Sequence, residues 1–339
     1  MFLRLRLLKM VNRLISRLYI VLALALTLSC GQNRSKGQAS AVVEKVEFPT
    51  VEVPGMITDP AERLDYILTH FWDGLMSTSV KGVSDSLHVV GFSRDDVEKQ
   101  FGMYATLLWQ APVSEGAASV KNLFNAAEAC EKHDTTSNVF ETITSFAEKY
   151  FYDPNSPLRN EEFYLPYLEG LVASDMVPEV RKYGYAYDAK MCSLNRIGTI
   201  AADFEFRTTT GRSMTLHNIK ADYILLFFSN PGCPNCKEIT DMLESSPEVH
   251  ELETSGRLKV VSVYIDKEID KWKAYASEYP EEWICGYDDK YVIRTDVTYS
   301  VRAIPSLYLL DKDKKVMMKD APQDKIFEAL SYLAQNSGQ

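Results

Sequence analysis

The chain has 339 residues, 46% of them hydrophobic and 25% charged, with a formal net charge of −10. That length predicts two cores rather than one, and the composition excludes both a chain disordered throughout and a multi-span membrane protein. The acidic balance, with no basic patch to displace phosphate counterions, argues against nucleic acid as a partner.

Residues 1–29 form the first predicted element. Arg4, Arg6, Lys9, Arg13 and Arg17 precede an apolar run from Leu18 to Leu28, which the small residue Ser29 closes. Basic, then apolar, then small is the order of an export signal, and the run is short for a transmembrane helix. Leu26-Thr27-Leu28-Ser29-Cys30 resembles a lipobox, although Thr27 stands where an aliphatic residue is usual. The resemblance implies lipidation at Cys30 and a membrane reached through that anchor; a plain secretory signal is the other reading. A tether is expected over 30–55, beginning with the polar stretch Gly31 to Ser40. Loss of the leader would remove five cations and no anion, deepening the acidity. The expected location is therefore periplasmic and membrane-anchored, in a compartment where disulfides persist.

Residues 56–190 read as an all-α domain. Asp59-Pro60 opens a helix with Leu64, Ile67, Leu68, Phe71, Trp72 and Leu75 at helical spacing. Ser93-Arg94-Asp95-Asp96 resembles a capping box ahead of a second helix, whose apolar face carries Val97, Phe101, Tyr104, Leu107 and Leu108. Helical patterns continue over 119–131, 138–151 and 160–173, with a proline-marked break at Asp153-Pro154-Asn155-Ser156-Pro157. These stripes are core patterns, and His70, His88 and His133 have no metal-spaced partner. No catalytic motif falls in this half, and its role stays open.

From 191 to 339 the pattern becomes α/β. Phe204-Glu205-Phe206 alternates as a short strand, and Thr210-Gly211 turns the chain before Met214-Thr215-Leu216. Tyr223 to Ser229 is a continuous apolar run, as in a strand buried on both faces. A helix begins near Cys233, a second buried strand covers Leu258 to Ile265, and a helix lies around 268–278. Ser306–Leu310 and Lys315–Met318 flank a polar hairpin loop, and a last helix follows Pro322. Strand–helix–strand, then hairpin and helix, predicts an α/β sandwich: a central mixed sheet with helices on both faces.

The chemistry concentrates in Cys233-Pro234-Asn235-Cys236, where a buried strand hands over to a helix. Unpaired N–H groups and the positive dipole end favour a thiolate at the first cysteine. Pro234 suits the first helical position. Cys236, one turn on, can attack a mixed disulfide formed at Cys233 and release the product. Tetrahedral zinc would need two further ligands, and no second CxxC or CxxH pair exists. No metal and no cofactor are expected; a purely structural pair is the remaining alternative. Of the other cysteines, Cys130, Cys192 and Cys285 are three, so at least one is unpaired within the monomer if Cys30 is lipidated. Cys285 reads as a buried thiol, with a third redox thiol as the alternative.

From about Gly198 onward the chain resembles the thioredoxin superfamily, in its exported TlpA/ResA-like branch. The resemblance rests on Ala202-Asp203-Phe204, on Phe227 through Lys237 around the cysteines, and on Tyr299 through Asp311. It implies a cis bond before Pro305 and an Ile304 backbone that serves as a substrate-binding edge beside the sulfurs. It also implies reduction of disulfides in client proteins, with a membrane electron donor as a second partner. A DsbA-like oxidant or isomerase, and a non-enzymatic partner-binding lipoprotein, are the alternatives. The helical half is similar to the poorly characterised domain that precedes such modules in bacterial lipoproteins. Two departures stand out: Gly232 replaces the tryptophan common before the first cysteine, and Phe227 replaces the buried aspartate of many thioredoxins. The proton on Cys236 must then pass to another acid, within 262–290, or to water. Asn230 stands where a peroxidase would carry threonine, which argues against peroxidase chemistry.

Overall fold

The computed structural model describes residues 47–77 and 83–336. The expected leader, Cys30 and the expected tether up to residue 46 lie outside them, and Val46–Gln339 is one compact unit.

The first helix, Pro60–His70, starts as its sequence demands. The Asp59 carboxylate accepts from the N–H groups of Ala61 and Glu62 at 2.9 and 3.0 Å, and Pro60 occupies the first turn. Strands β1 (His88–Val89) and β2 (Phe92–Ser93) then make a small antiparallel hairpin. The expected capping box at Ser93 does not form. Ser93 is paired with His88 in that hairpin, and its side chain makes no capping bond to the Arg94–Leu108 helix. Helices Val113–His133, Val139–Ala147, Glu161–Ala173 and Glu179–Cys192 complete the region. Their inward stripes merge into one core around Phe101, Tyr104, Val120, Ile143, Phe163 and Leu168, all essentially inaccessible to water. Each such side chain contributes about 1.5–3 kcal/mol by leaving water.

The second half builds a seven-stranded mixed sheet from β3 (Glu205–Thr208), β4 (Ser213–Thr215), β5 (Tyr223–Phe228), β6 (Leu258–Tyr264), β7 (Ile284–Tyr287), β8 (Ser306–Asp311) and β9 (Val316–Met318). Their order across the sheet is β4-β3-β7-β6-β5-β8-β9. β5 is central, parallel to β6 and antiparallel to β8. Alternation along β5 divides its residues between two cores. Leu225 and Phe227 face the helices Pro234–Ser245, Pro247–Thr254, Ile269–Tyr275 and Gln323–Gln335 through Ile239, Leu252, Trp272 and Ile326. Ile224, Leu226 and Phe228 face the short Val292–Thr295 helix and the connecting segments through Ile293, Tyr299 and Leu216.

β7 is four residues long and depends on one close approach. A Cβ on Gly286 would lie 2.6 Å from the Arg207 carbonyl oxygen and would overlap the buried Phe206 ring. Gly286→Ala is therefore expected to destabilise the protein by about 3 kcal/mol, because a backbone neighbour cannot rotate away. Urea unfolding measures it; an unchanged midpoint would show that β3 and β7 can separate freely.

The helical region is locked to the sheet by buried charges. Lys319, its side chain 1% exposed, pairs with Glu161 at 2.7 Å and donates to the Cys192 carbonyl at 2.6 Å. Arg302 lies between Glu161 (3.1 Å) and Asp320 (3.2 Å), donates to the Tyr152 carbonyl, and stacks over the Tyr152 ring at 3.9 Å. Ser306, at the start of β8, donates to Asp320 at 2.7 Å. The segment just before Pro305 is thus fixed from the helical side.

Candidate functional site

β5 ends at Phe228, opposite Ser306 at the start of β8. The loops bearing Cys233 and Pro305 consequently leave the same end of neighbouring strands. Gly232 has φ +73°, a left-handed conformation that favours glycine over the tryptophan common at that place. Cys233 caps the Pro234–Ser245 helix, with Pro234 in the first turn, and the Cys236 N–H points at Cys233 Sγ at 3.2 Å. An anion on Cys233 would therefore meet a backbone donor and the positive end of a twelve-residue helix.

The two thiols are unlike. Cys233 is half-buried, whereas Cys236 is 4% exposed. Burial pushes the Cys236 thiol well above the usual range, its hydrogen bond with Cys233 adds to that, and the Asn230 backbone amide opposes it. Cys236 therefore holds its proton at neutral pH until something draws it off. Iodoacetamide at pH 7 is expected to label Cys233 about tenfold or more faster than Cys236, read by peptide mass mapping. Equal labelling would mean that the second thiol is neither shielded nor protonated.

The Ile304–Pro305 peptide bond is cis, and both residues are half-buried and line the cavity that also contacts Asn235. Cys233, Cys236, Ile304 and Pro305 are thus brought to one end of the sheet. Cys30, proposed for lipidation, lies outside the described residues.

A thioredoxin-like protein from Bacteroides caccae is 34% identical in sequence, with 84% of this chain and 98% of that one covered and a TM-score of 0.72. The chain belongs to the thioredoxin-like proteins. In this thioredoxin-like protein, residues 221–316 match the family described as thioredoxin-like, and residues 29–195 match a domain of unknown function, DUF5106. The C-terminal domain of an uncharacterized protein from Bacteroides fragilis is 42% identical over 40% of this chain and 98% of its own, with a TM-score of 0.40. Nucleoredoxin from Bos taurus is 26% identical over 112 residues, which is 33% of this chain and 25% of nucleoredoxin. The chain spans about a quarter of the length of the curated relatives it matches.

A cluster of hydroxyls is buried in the core that also holds Cys236. Phe227 fills the aspartate position and meets Trp283 edge-on at 6.3 Å. Ser229 Oγ lies 2.8 Å from both Ser262 Oγ and Tyr279 Oη, a network in the same core as Cys236 and Cys285. Burial pushes the Tyr279 hydroxyl up to about 12, and the Cys285 thiol likewise to about 12. None of the largest influences on Cys236 is a carboxylate. Within 262–290, Asp266 is instead held at the rim by Asn230 Nδ2 at 2.8 Å and Arg294 at 3.0 Å. Ser229, Ser262 and Tyr279 carried no sequence signal, since an isolated serine in an apolar run and a tyrosine after a helix are ordinary core residues. Among the described residues, no three His, Cys, Asp or Glu side chains gather as a metal site.

Proposed function

We propose that this protein is an extracytoplasmic, lipid-anchored thiol–disulfide oxidoreductase that reduces disulfides in client proteins. The observation that carries the reading is the asymmetric pair: a half-buried Cys233 capping a helix, one turn from a Cys236 that is 4% exposed. In the reducing direction, Cys233 thiolate attacks a client disulfide, forms a mixed disulfide and expels one client thiolate. Cys236 then loses its proton and attacks Cys233 Sγ, expelling the second client thiolate and leaving a Cys233–Cys236 disulfide. Two electrons have passed to the client, and a dithiol donor at the membrane returns them. The Ile304 backbone, beside Pro305, would hold the client strand.

The lipobox-like residues 26–30 support the membrane tether, which would keep the enzyme near its donor. An insulin-reduction assay with dithiothreitol tests the activity. The proposal expects accelerated precipitation of the insulin B chain; a rate equal to dithiothreitol alone contradicts it.

A further inference from the structure

The helical region does more than dock against the sheet: its loop 153–159 reaches the redox site. A cavity of about 320 Å³ lies between this loop, the start of the Pro234–Ser245 helix and the Ile304–Pro305 segment. Pro154, Asn155 and Pro157 line it from the loop, Glu238 and Ile239 from the Pro234–Ser245 helix, and Asp324 from the Gln323–Gln335 helix. Such a volume is at the small end of the roughly 300–1,000 Å³ typical of ligand pockets, and suits one or two side chains of a larger partner.

The loop wall is built to stay in place. Asp153 Oδ1 accepts from the Asn155 N–H at 2.8 Å, and the buried Ser156 hydroxyl donates to the Tyr150 carbonyl at 2.7 Å. Arg159 then ties the loop to the far domain, donating to the carbonyls of Asp320 at 2.9 Å and Ala321 at 3.0 Å. That guanidinium also reaches the Ser156 carbonyl at 3.3 Å and lies 3.9 Å from the Asp320 carboxylate, so its charge is paired within the junction.

The electrostatics of the mouth are one-sided. Glu238 and Asp324 are exposed and form no ion pair among the described residues. The neighbouring cations are already used: Lys237 pairs with Asp241 at 2.7 Å and Lys325 with Glu328 at 2.8 Å. The lining is mixed: Pro154, Pro157, Ile239 and Leu307 offer apolar contact, while Glu238 and Asp324 bring negative charge without an ion pair, a combination that fits an apolar side chain next to a basic one.

We propose that loop 153–159 forms one wall of the client groove and, with Glu238 and Asp324, selects disulfides flanked by an apolar residue and a lysine or arginine. The inference rests on the redox reading for what the groove serves, and its test is separable from it. Two fluorescent peptides, each with serine in place of cysteine, differ only in a Lys-Leu or Glu-Leu flank; their affinities for the full-length protein are read by anisotropy. The Lys-Leu peptide is expected to bind about fivefold more tightly, the scale of one or two exposed charge contacts. Asn155→Lys on the loop and Asp324→Lys on the Gln323–Gln335 helix should each remove that preference. Both positions are exposed, and circular dichroism checks that each variant is folded. Equal or absent binding of the two peptides, or a preference untouched by Asn155→Lys, overturns the proposal. Because the peptides contain no thiol, these outcomes stand whether or not the protein reduces insulin.

Discussion

Cys233→Ala is expected to abolish disulfide exchange, lowering turnover by about a thousandfold or more, because no other accessible thiol sits at the head of the Pro234–Ser245 helix. Cys236→Ser should behave differently. Attack by Cys233 survives, resolution does not, and client proteins accumulate as mixed disulfides through Cys233. The split follows from the geometry: the Cys236 N–H faces Cys233 Sγ at 3.2 Å, while the Cys236 thiol is buried in the core that includes Phe227 and Ile239. Non-reducing gels of cells carrying each variant read the result. Adducts with Cys233→Ala, or none with Cys236→Ser, would assign the roles wrongly.

The largest expected effect on stability lies at the junction. Lys319→Met leaves Glu161, 3% exposed, without its closest cation and two carbonyls without their donor. Breaking a buried pair from one side costs about 3–5 kcal/mol, since the remaining charge cannot reach water. Arg302 still touches Glu161 at 3.1 Å, so the lower end of that range is expected. The double variant Glu161→Gln/Lys319→Met should lose less than the two single losses combined, because both remove the same contact. Urea unfolding of the three variants gives the comparison. A loss below about 1 kcal/mol for Lys319→Met would mean that water already reaches the pair.

Much of the fold was legible in periodicity and punctuation. The apolar run Tyr223 to Ser229 read as a doubly covered strand, as it is, and the cysteines directly after it lie at one end of that strand. The match around Ile304-Pro305 located the second half of that site, more than 60 residues downstream. Three features were hidden for physical reasons. Ile284–Tyr287 is a four-residue strand containing a glycine, chosen for its closeness to Arg207 rather than for strand propensity. Glu161 and Glu162 look like ordinary acids in the first turn of a helix, yet they are buried, and Glu161 meets Arg302 141 residues away. Ser229, Ser262 and Tyr279 converge only once β5 and β6 pair. Local pattern carries no information about such long-range partners.

If Cys233 and Cys236 form a reversible two-electron couple, equilibrating the full-length protein in dithiothreitol buffers of graded potential and mapping disulfides by mass spectrometry will show it. One cooperative transition to a Cys233–Cys236 disulfide is expected, with a midpoint near the reducing value of about −270 mV typical of thioredoxin. A midpoint near about −120 mV would reverse the direction of electron flow. A pair that never forms a disulfide, or never releases one, would rule out redox chemistry at Cys233 and Cys236.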